Sequence, residues 1–124
     1  MTPPWNILIV EDEPLVMEAL QGVVSTEYRT SCAATVREAY AFLRTSAVDL
    51  VLLDHRLADG TGDDIAALAE TLGVSIITMS GYPHDESRSS RHPQLMKPFS
   101  AEMLLNKMRS VLEHRLIMSG HLGE

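Results

Sequence analysis

The sequence predicts an α/β fold in which helices cover both faces of a five-stranded, doubly wound parallel sheet. Short apolar runs alternate with stretches of helical periodicity along the whole chain. Each run is bounded by polar or turn residues, as is typical of strands buried on both faces. The runs lie at 6–10, 50–53, 75–79 and 95–96, and a more polar strand nearer an edge is expected at 28–33.

Helices are expected between these strands, at about 14–24, 35–44, 63–71 and 100–116. Pro14 suits a first helical turn, and the apolar stripe after it includes Leu15, which we expect to face the core. Thr35 and Glu38 have the spacing of a capping box. Ser100 is expected to cap the last helix. Residues 55–62 are predicted to be a loop with two glycines.

The segment Gly81–Pro93 interrupts the alternation, because it is polar and has almost no apolar periodicity. Ser80 and Lys97 are separated by 97 − 80 = 17 positions. This spacing leaves little room for a helix between the fourth and fifth strands. We expect that helix to be one or two turns near Asp85–Ser90, or absent.

Length and composition indicate one domain over 1–124, with a core of about 6–116, a tail at 117–124 and no second domain after it. The net charge of −7, without a basic stretch, argues against direct nucleic-acid binding. No apolar run approaches the ~18 residues that a membrane span needs, and no signal peptide is evident. With Cys32 as its only cysteine, the chain fits a reducing cytosol, so we expect a cytoplasmic protein.

Polar residues follow the apolar runs where each strand is expected to end. These residues are Glu11, Asp12, Asp54, Ser80 and Lys97. Because the carboxyl ends of parallel strands line one crevice, the side chains should converge there. Three carboxylates, a hydroxyl and an ammonium suit a divalent cation with a phosphoryl group. Taken singly, each also fits an ordinary surface or turn residue, and the acidic pair also suits the dipole of the next helix.

At these residues the chain resembles the receiver domain of two-component response regulators, from about Ile7 to Leu116. The shared pattern is an acidic pair after the first strand, Asp after the third, Ser or Thr after the fourth, and Lys-Pro after the fifth. The resemblance implies a flavodoxin-like strand order of 2-1-3-4-5. It also implies that a helix between the fourth and fifth strands is shorter here than in most receivers.

The resemblance further implies that Asp54 accepts a phosphoryl group from a phosphohistidine of a histidine kinase or a histidine phosphotransfer domain. The reaction would need Mg²⁺ or Mn²⁺. Asp12 and Asp54 are expected to bind the cation directly, Glu11 through water, and Arg56 through its main-chain carbonyl. Such a chain is a signalling phosphoacceptor with phosphotransfer and self-hydrolysis chemistry of its own, and we do not class it as an enzyme.

Ser80 and Lys97 are expected to bind the phosphoryl group, and the Lys97–Pro98 bond is expected to be cis, as in the family. Arg56 and Tyr82 border the expected line of attack of hydrolytic water and would tune the lifetime of the acyl phosphate. Both also fit solvated loop residues. The aromatic switch residue usual in the family is replaced by Gln94, and Tyr82 is a candidate substitute.

Phosphorylation would shift a two-state equilibrium whose output is contact with an unidentified downstream protein. The motifs fit either a single-domain regulator or a receiver of a hybrid kinase. One alternative is a docking module that is rarely phosphorylated. A remote alternative is a Mg²⁺-dependent phosphatase of the haloacid-dehalogenase type, but such enzymes carry Asp-x-Asp after the first strand. A flavodoxin-type cofactor binder would need a phosphate loop after Val10, and none is visible.

Overall fold

Strands and helices alternate through the residues that the computed structural model describes, which are 5–57, 59–81 and 91–118; the side chains of Arg56 and Thr61 are not described. In chain order the elements are β1 (Asn6–Val10), α1 (Pro14–Val24), β2 (Arg29–Ala33), α2 (Val36–Thr45), β3 (Leu50–Asp54), β4 (Arg56–Leu57), β5 (Gly60–Thr61), α3 (Gly62–Leu72), β6 (Ser75–Ser80), β7 (Gln94–Met96) and α4 (Ala101–Met118). Within these ranges no helix has the length and apolar character to cross a bilayer.

Five of the strands form one parallel sheet in the order β2-β1-β3-β6-β7. Counted along the chain, this is the order 2-1-3-4-5, so the predicted doubly wound topology is confirmed. β1 and β3 are central, and their apolar residues are almost completely buried. β2 lies at one edge of the sheet, as its mixed polarity predicted, and β7 lies at the other.

The strands bury side chains on both faces of the sheet, so two apolar layers hold the helices. Leu8 and Val10 belong to a cluster that includes residues of α2 and α3. Ile7 and Ile9 point to the other side, into a cluster with residues of α1 and α4. Alternation along a strand explains the division, because successive side chains leave opposite faces of the sheet.

The helix boundaries follow the local signals in the sequence. Thr35 Oγ1 accepts the N–H of Glu38 at 3.0 Å, as the predicted capping box requires. Gly73 ends α3 with a φ of 72°, a conformation that glycine adopts at little cost. Ser100 Oγ accepts the N–H of Met103 at 3.1 Å and caps α4. These caps fix the lengths of the helices that surround the sheet.

The structure differs from two of the expectations, and a third concerns residues that it does not describe. The prediction that Leu15 faces the core is wrong, because its side chain is 79% exposed on the first turn of α1. The predicted loop at 55–62 is instead a short antiparallel hairpin of β4 and β5, and α3 already begins at Gly62. The short helix expected near Asp85–Ser90 lies outside the described residues.

Candidate functional site

The carboxyl ends of four neighbouring strands bring the five predicted side chains to one edge of the sheet. Glu11 and Asp12 follow β1, Asp54 ends β3, Ser80 ends β6, and Lys97 follows β7. Carboxylate oxygens of Glu11, Asp12 and Asp54 all lie within 4.8 Å of one another. The Lys97 ammonium nitrogen lies 3.6 Å from Asp54 Oδ1. The edge therefore carries a compact cluster of three acids and one base.

Glu11 is the buried member of the cluster, with an exposed fraction of only 1%. Its pKa is raised to about 7, first by burial and then by a hydrogen bond to Asp54 and the charge of Asp54, which together outweigh the lowering by Lys97. Glu11 Oε2 also accepts the N–H of Asp12 at 3.1 Å. The site thus holds more negative charge than its own ammonium group offsets, and Glu11 takes up a proton more readily as a result.

Lys97 is held over the acids by the backbone around it. Its N–H donates to the Ser80 carbonyl at 2.8 Å, which joins the end of β7 to the end of β6. The Lys97–Pro98 peptide bond is cis. The ammonium nitrogen lies 3.5 Å from Glu11 Oε1 and is partly exposed, with 35% of the side chain accessible. A cation in this position can neutralise an anionic group bound to Asp54.

The donor set fits a hard divalent cation. All three side chains offer carboxylate oxygens, the ligands that Mg²⁺ and Mn²⁺ prefer. Asp12 is exposed and Asp54 is partly exposed, so a cation and its waters can reach them from solvent. After burial, the neighbouring Asp54 is the next cause of the raised pKa of Glu11, and a bound cation would offset that charge. The backbone of Arg56 belongs to β4 and lies two residues after Asp54.

Tyr82 and the side chain of Arg56, the two predicted tuning groups, lie outside the described residues. Gln94 is the first residue of β7 and its side chain is exposed. Ser80 is partly buried at the end of β6, where its hydroxyl is placed at the same edge as the acids.

Two structural features near the site escaped the sequence analysis. Asp59 accepts hydrogen bonds from the first turn of α2, although 23 residues separate it from Val36. An apolar groove of about 460 Å³ runs between α1 and the segment after β7, with Leu15 and Lys97 among its lining residues. Asp59 and Gly60 were a usable signal for a turn, because both residue types are common in turns. No local pattern signals the groove, which depends on the packing of two distant segments.

With this fold and this acidic edge, the chain has the architecture of a receiver. A family model described as the response regulator receiver domain matches residues 7–109. The chain therefore belongs to the response regulator receiver domain family of two-component signal transduction. The resemblance inferred from the acidic pair, Asp54, Ser80 and Lys97 is confirmed at the level of the family.

The chain is similar in sequence to two proteins described as transcriptional regulatory proteins. The chain is 30% identical over 117 residues to the uncharacterized transcriptional regulatory protein YbdJ of Bacillus subtilis strain 168. This match covers 89% of the chain and 52% of YbdJ. It is 38% identical over 80 residues to the TorCAD operon transcriptional regulatory protein TorR of Escherichia coli K12. This match covers 63% of the chain and 35% of TorR. The chain thus spans about half the length of YbdJ, or less in the case of TorR.

Solved receiver structures have the same fold. A crystal structure of a CheY-like response regulator receiver domain protein from Methanospirillum hungatei JF-1 matches with a TM-score of 0.81 at 25% identity. The match covers 90% of this chain and 96% of that chain. The sheet order and the helices around it are therefore those of CheY-like receivers.

Proposed function

We propose that this receiver accepts a phosphoryl group on the carboxylate of Asp54. One observation carries the proposal: Asp54 shares its strand-end position with two further carboxylates within 4.8 Å and with an ammonium nitrogen at 3.6 Å. Phosphoryl transfer depends mainly on positioning and on neutralisation of charge. Glu11 is equally close to Lys97 but is only 1% exposed, whereas the Asp54 carboxylate is partly exposed and so can be reached by a donor.

The donor in this proposal is a phosphohistidine of a histidine kinase or a histidine phosphotransfer domain. An oxygen of the Asp54 carboxylate attacks phosphorus, the P–N bond of the phosphohistidine breaks, and its electron pair returns to the imidazole ring. A P–O bond forms at the same time and gives an acyl phosphate. Water later attacks phosphorus and restores the carboxylate. The chain supplies this chemistry as a signalling partner that returns to its starting state only slowly, so we do not class it as an enzyme.

Mg²⁺ or Mn²⁺ is the cofactor in this proposal, held directly by Asp12 and Asp54, through water by Glu11, and by the main-chain carbonyl of Arg56. When bound, the ion neutralises the charge that gathers on the phosphoryl oxygens. The buried position of Glu11 supports a role through water, because its carboxylate is already bonded to the N–H of Asp12 at 3.1 Å. Glu11 thereby orients the acidic pair toward the cation.

Lys97 and Ser80 are proposed to bind the phosphoryl group and to report its presence. The ammonium of Lys97 would leave Glu11 and Asp54 for the phosphoryl oxygens, and the Ser80 hydroxyl would donate a hydrogen bond. Since Lys97 N–H is bonded to Ser80 O at 2.8 Å, the two residues would respond together. Movement of these two strand ends would shift the equilibrium between inactive and active conformations. Arg56 and Tyr82 are proposed to tune the lifetime of the phosphorylated state.

The apolar groove beside the site is the proposed docking surface for the phosphohistidine partner. Leu15 and Val16 are exposed along α1, by 79% and 36% respectively. Pro98 and Phe99 line the opposite wall, and Lys97 lies at the end nearest Asp54. A helix that carries the donor histidine could bury its apolar face here and present the phosphoryl group to Asp54.

The decisive experiment is phosphorylation by acetyl phosphate, a small donor that needs no docking surface. The protein is incubated with acetyl phosphate and Mg²⁺, and its intact mass is measured. Wild type is expected to gain one phosphoryl group, and Asp54→Asn none. Asp64→Asn is the matched control, because Asp64 is an exposed aspartate outside the cluster, and it should be labelled like wild type.

Equal labelling of wild type and Asp54→Asn would show that Asp54 is not the acceptor. Failure of wild type to be labelled, in the presence of Mg²⁺ binding, would favour the docking module that is rarely phosphorylated. Downstream output is proposed to run through contact with another protein, in a cytoplasmic setting.

A further inference from the structure

The chain directly after Asp54 folds back as the hairpin of β4 and β5, whose strands pair antiparallel. The Gly62 N–H donates to the His55 carbonyl at 2.9 Å and closes the base of the hairpin. Gly62 lies so close to the acceptor strand that an added Cβ would be 3.3 Å from the Asp54 carbonyl oxygen. The hairpin therefore leaves and rejoins the fold beside Asp54, and its orientation affects the geometry of the site.

Two contacts hold the tip of the hairpin against α2. Leu57 is 8% exposed and packs in the same apolar cluster as Val36. The Asp59 carboxylate accepts the N–H of Val36 on Oδ1 at 2.8 Å and the N–H of Arg37 on Oδ2 at 3.3 Å. Gly60 allows this close approach, since an added Cβ would lie 3.1 Å from Val36 Cγ2. One apolar contact and two hydrogen bonds therefore hold the tip of the hairpin against α2.

α2 has a local cap that does not involve Asp59. Thr35 Oγ1 accepts the N–H of Glu38, and Glu38 Oε1 accepts the N–H of Ala34 at 3.2 Å. The N–H of Val36 lowers the pKa of Asp59, so the carboxylate is charged where it meets the helix N-terminus. The local cap leaves the N–H groups of Val36 and Arg37 without a partner within the helix. The Asp59 carboxylate accepts both, so it completes the cap of α2 and also joins α2 to the hairpin.

The same end of α2 is connected to the acidic pair. Ala33, the last residue of β2, accepts the Glu11 N–H at 3.0 Å. α2 begins three residues later in the chain, at Val36. A continuous series of contacts therefore runs from Glu11, through the end of β2 and the start of α2, to Asp59 and the hairpin that contains Arg56.

We infer that Asp59 is a positioning residue for the cation, because it fixes the hairpin, and with it the Arg56 main-chain carbonyl, relative to Asp12 and Asp54. The inference rests on the proposed function, since the Arg56 carbonyl is a ligand only if a cation binds there. Asp59 is not itself a ligand: both of its carboxylate oxygens are bonded to α2. Residues that orient metal ligands in this way affect metal affinity strongly.

The test is a titration of the full chain with Mg²⁺, followed by backbone amide shifts. Asp59→Ala removes both bonds to α2 and is expected to raise the Kd for Mg²⁺ roughly tenfold. Asp59→Asn keeps one oxygen acceptor and should give an intermediate Kd. Glu113→Gln removes the same charge from an exposed position on α4, beside Trp5 and Tyr28 and not beside the hairpin. Its Kd should stay within about twofold of wild type, as expected for a screened surface charge.

A second readout separates positioning from a general loss of stability. With acetyl phosphate as donor, the Mg²⁺ concentration for half-maximal phosphorylation should rise in Asp59→Ala, while the rate at saturating Mg²⁺ returns close to that of wild type. A purely structural role would lower the free energy of unfolding and leave the Kd for Mg²⁺ unchanged, which would overturn the inference. If Asp59→Ala does not fold, Asp59→Asn decides the question by the same criterion.

The two proposals can fail separately. If wild type neither binds Mg²⁺ nor is labelled on Asp54, the proposed function fails and this inference with it. If wild type does both and the Asp59 variants bind Mg²⁺ like wild type, only the positioning role of Asp59 is wrong.

Discussion

The ammonium nitrogen of Lys97 lies 3.5 Å from Oε1 of Glu11, a carboxyl group that is only 1% exposed. A cation at this distance would normally hold the pKa of a carboxyl group below its usual value. The pKa of Glu11 is nevertheless raised to about 7, because burial and the neighbouring Asp54 outweigh Lys97. The acidic edge is therefore unfavourably charged without a divalent cation, and several measurable properties depend on that imbalance.

Stability should fall as pH rises when no divalent cation is present. The pKa of Glu11 is about 7 in the folded protein and near the ordinary glutamate value of 4.5 in the unfolded chain. Between these values the folded state binds more protons than the unfolded state, so the free energy of unfolding decreases with increasing pH. The stabilising contribution of the protonated Glu11 is fully present below about pH 4.5 and is lost above about pH 7. The loss at Glu11 is on the order of 3 kcal/mol.

Urea denaturation in the presence of a chelator, from about pH 4.5 to about pH 8, measures this loss. Glu11→Gln is the comparison, because glutamine has a similar shape and does not titrate, so its difference from wild type isolates Glu11. The two proteins should diverge as pH rises, with Glu11→Gln the more stable at high pH. Parallel curves over the whole range would mean that Glu11 titrates normally. Saturating Mg²⁺ should reduce the divergence.

Removal of the Lys97 charge should strengthen binding of a divalent cation. The ammonium lies within 3.6 Å of two of the three acids and repels a cation placed among them. Lys97→Met keeps much of the side-chain bulk and should lower the Kd for Mg²⁺ roughly fivefold. Lys107→Met, which removes the same charge from the middle of α4, is the control and should change little. Weaker binding in Lys97→Met would show that Lys97 supports the cation site instead of opposing it.

Much of the fold and the identity of the site residues could be predicted because both depend on local patterns. β1 was expected to end at Val10 and β3 at Asp54, and both do, since the apolar runs are buried on both faces and polar residues take over where burial ends. Parallel strand order then brings those polar residues together. Periodicity alone could not place Leu15, whose exposure depends on how α1 meets the segment after β7.

The burial of individual charged residues and the contacts between distant segments could not be predicted from the sequence. Glu11 and Asp12 are adjacent acidic residues, yet Glu11 is 1% exposed and Asp12 is an exposed residue. The bond from Asp59 to the start of α2 joins residues 23 positions apart. Asp59-Gly60 predicts a turn, but not which helix the carboxylate will meet.

A buried hydroxyl in β6 offers a test of packing. Thr78 is 2% exposed, and Oγ1 has no hydrogen-bond partner among the described residues. A buried hydroxyl without a partner costs about 1–3 kcal/mol, and valine has nearly the same shape. Thr78→Val should therefore raise the free energy of unfolding by about 1 kcal/mol, measured by urea denaturation. Thr30→Val on the edge strand β2 is the control and should change stability less. A loss of stability in Thr78→Val would mean that the hydroxyl forms a bond.

A substitution in the groove between α1 and the segment after β7 should slow phosphotransfer from a protein donor but not from a small donor. Leu15 is 79% exposed and makes few contacts to lose, so Leu15→Glu should leave the fold intact. A carboxylate at that position would have to be desolvated under an apolar partner helix, which is costly. Phosphotransfer from a histidine kinase or phosphotransfer domain should slow roughly tenfold or more, in line with the energy of a central interface residue.

Labelling by acetyl phosphate should be unchanged in Leu15→Glu, because that donor buries no groove surface. The protein donor is chosen from a panel as the one that phosphorylates the wild-type chain fastest. Ile117→Glu is the matched control: Ile117 is 58% exposed near the end of α4 and does not line the groove. If Leu15→Glu and Ile117→Glu accept phosphate from the protein donor equally well, the partner docks elsewhere. Slower labelling of Leu15→Glu by acetyl phosphate as well would instead locate the effect in the Asp54 site.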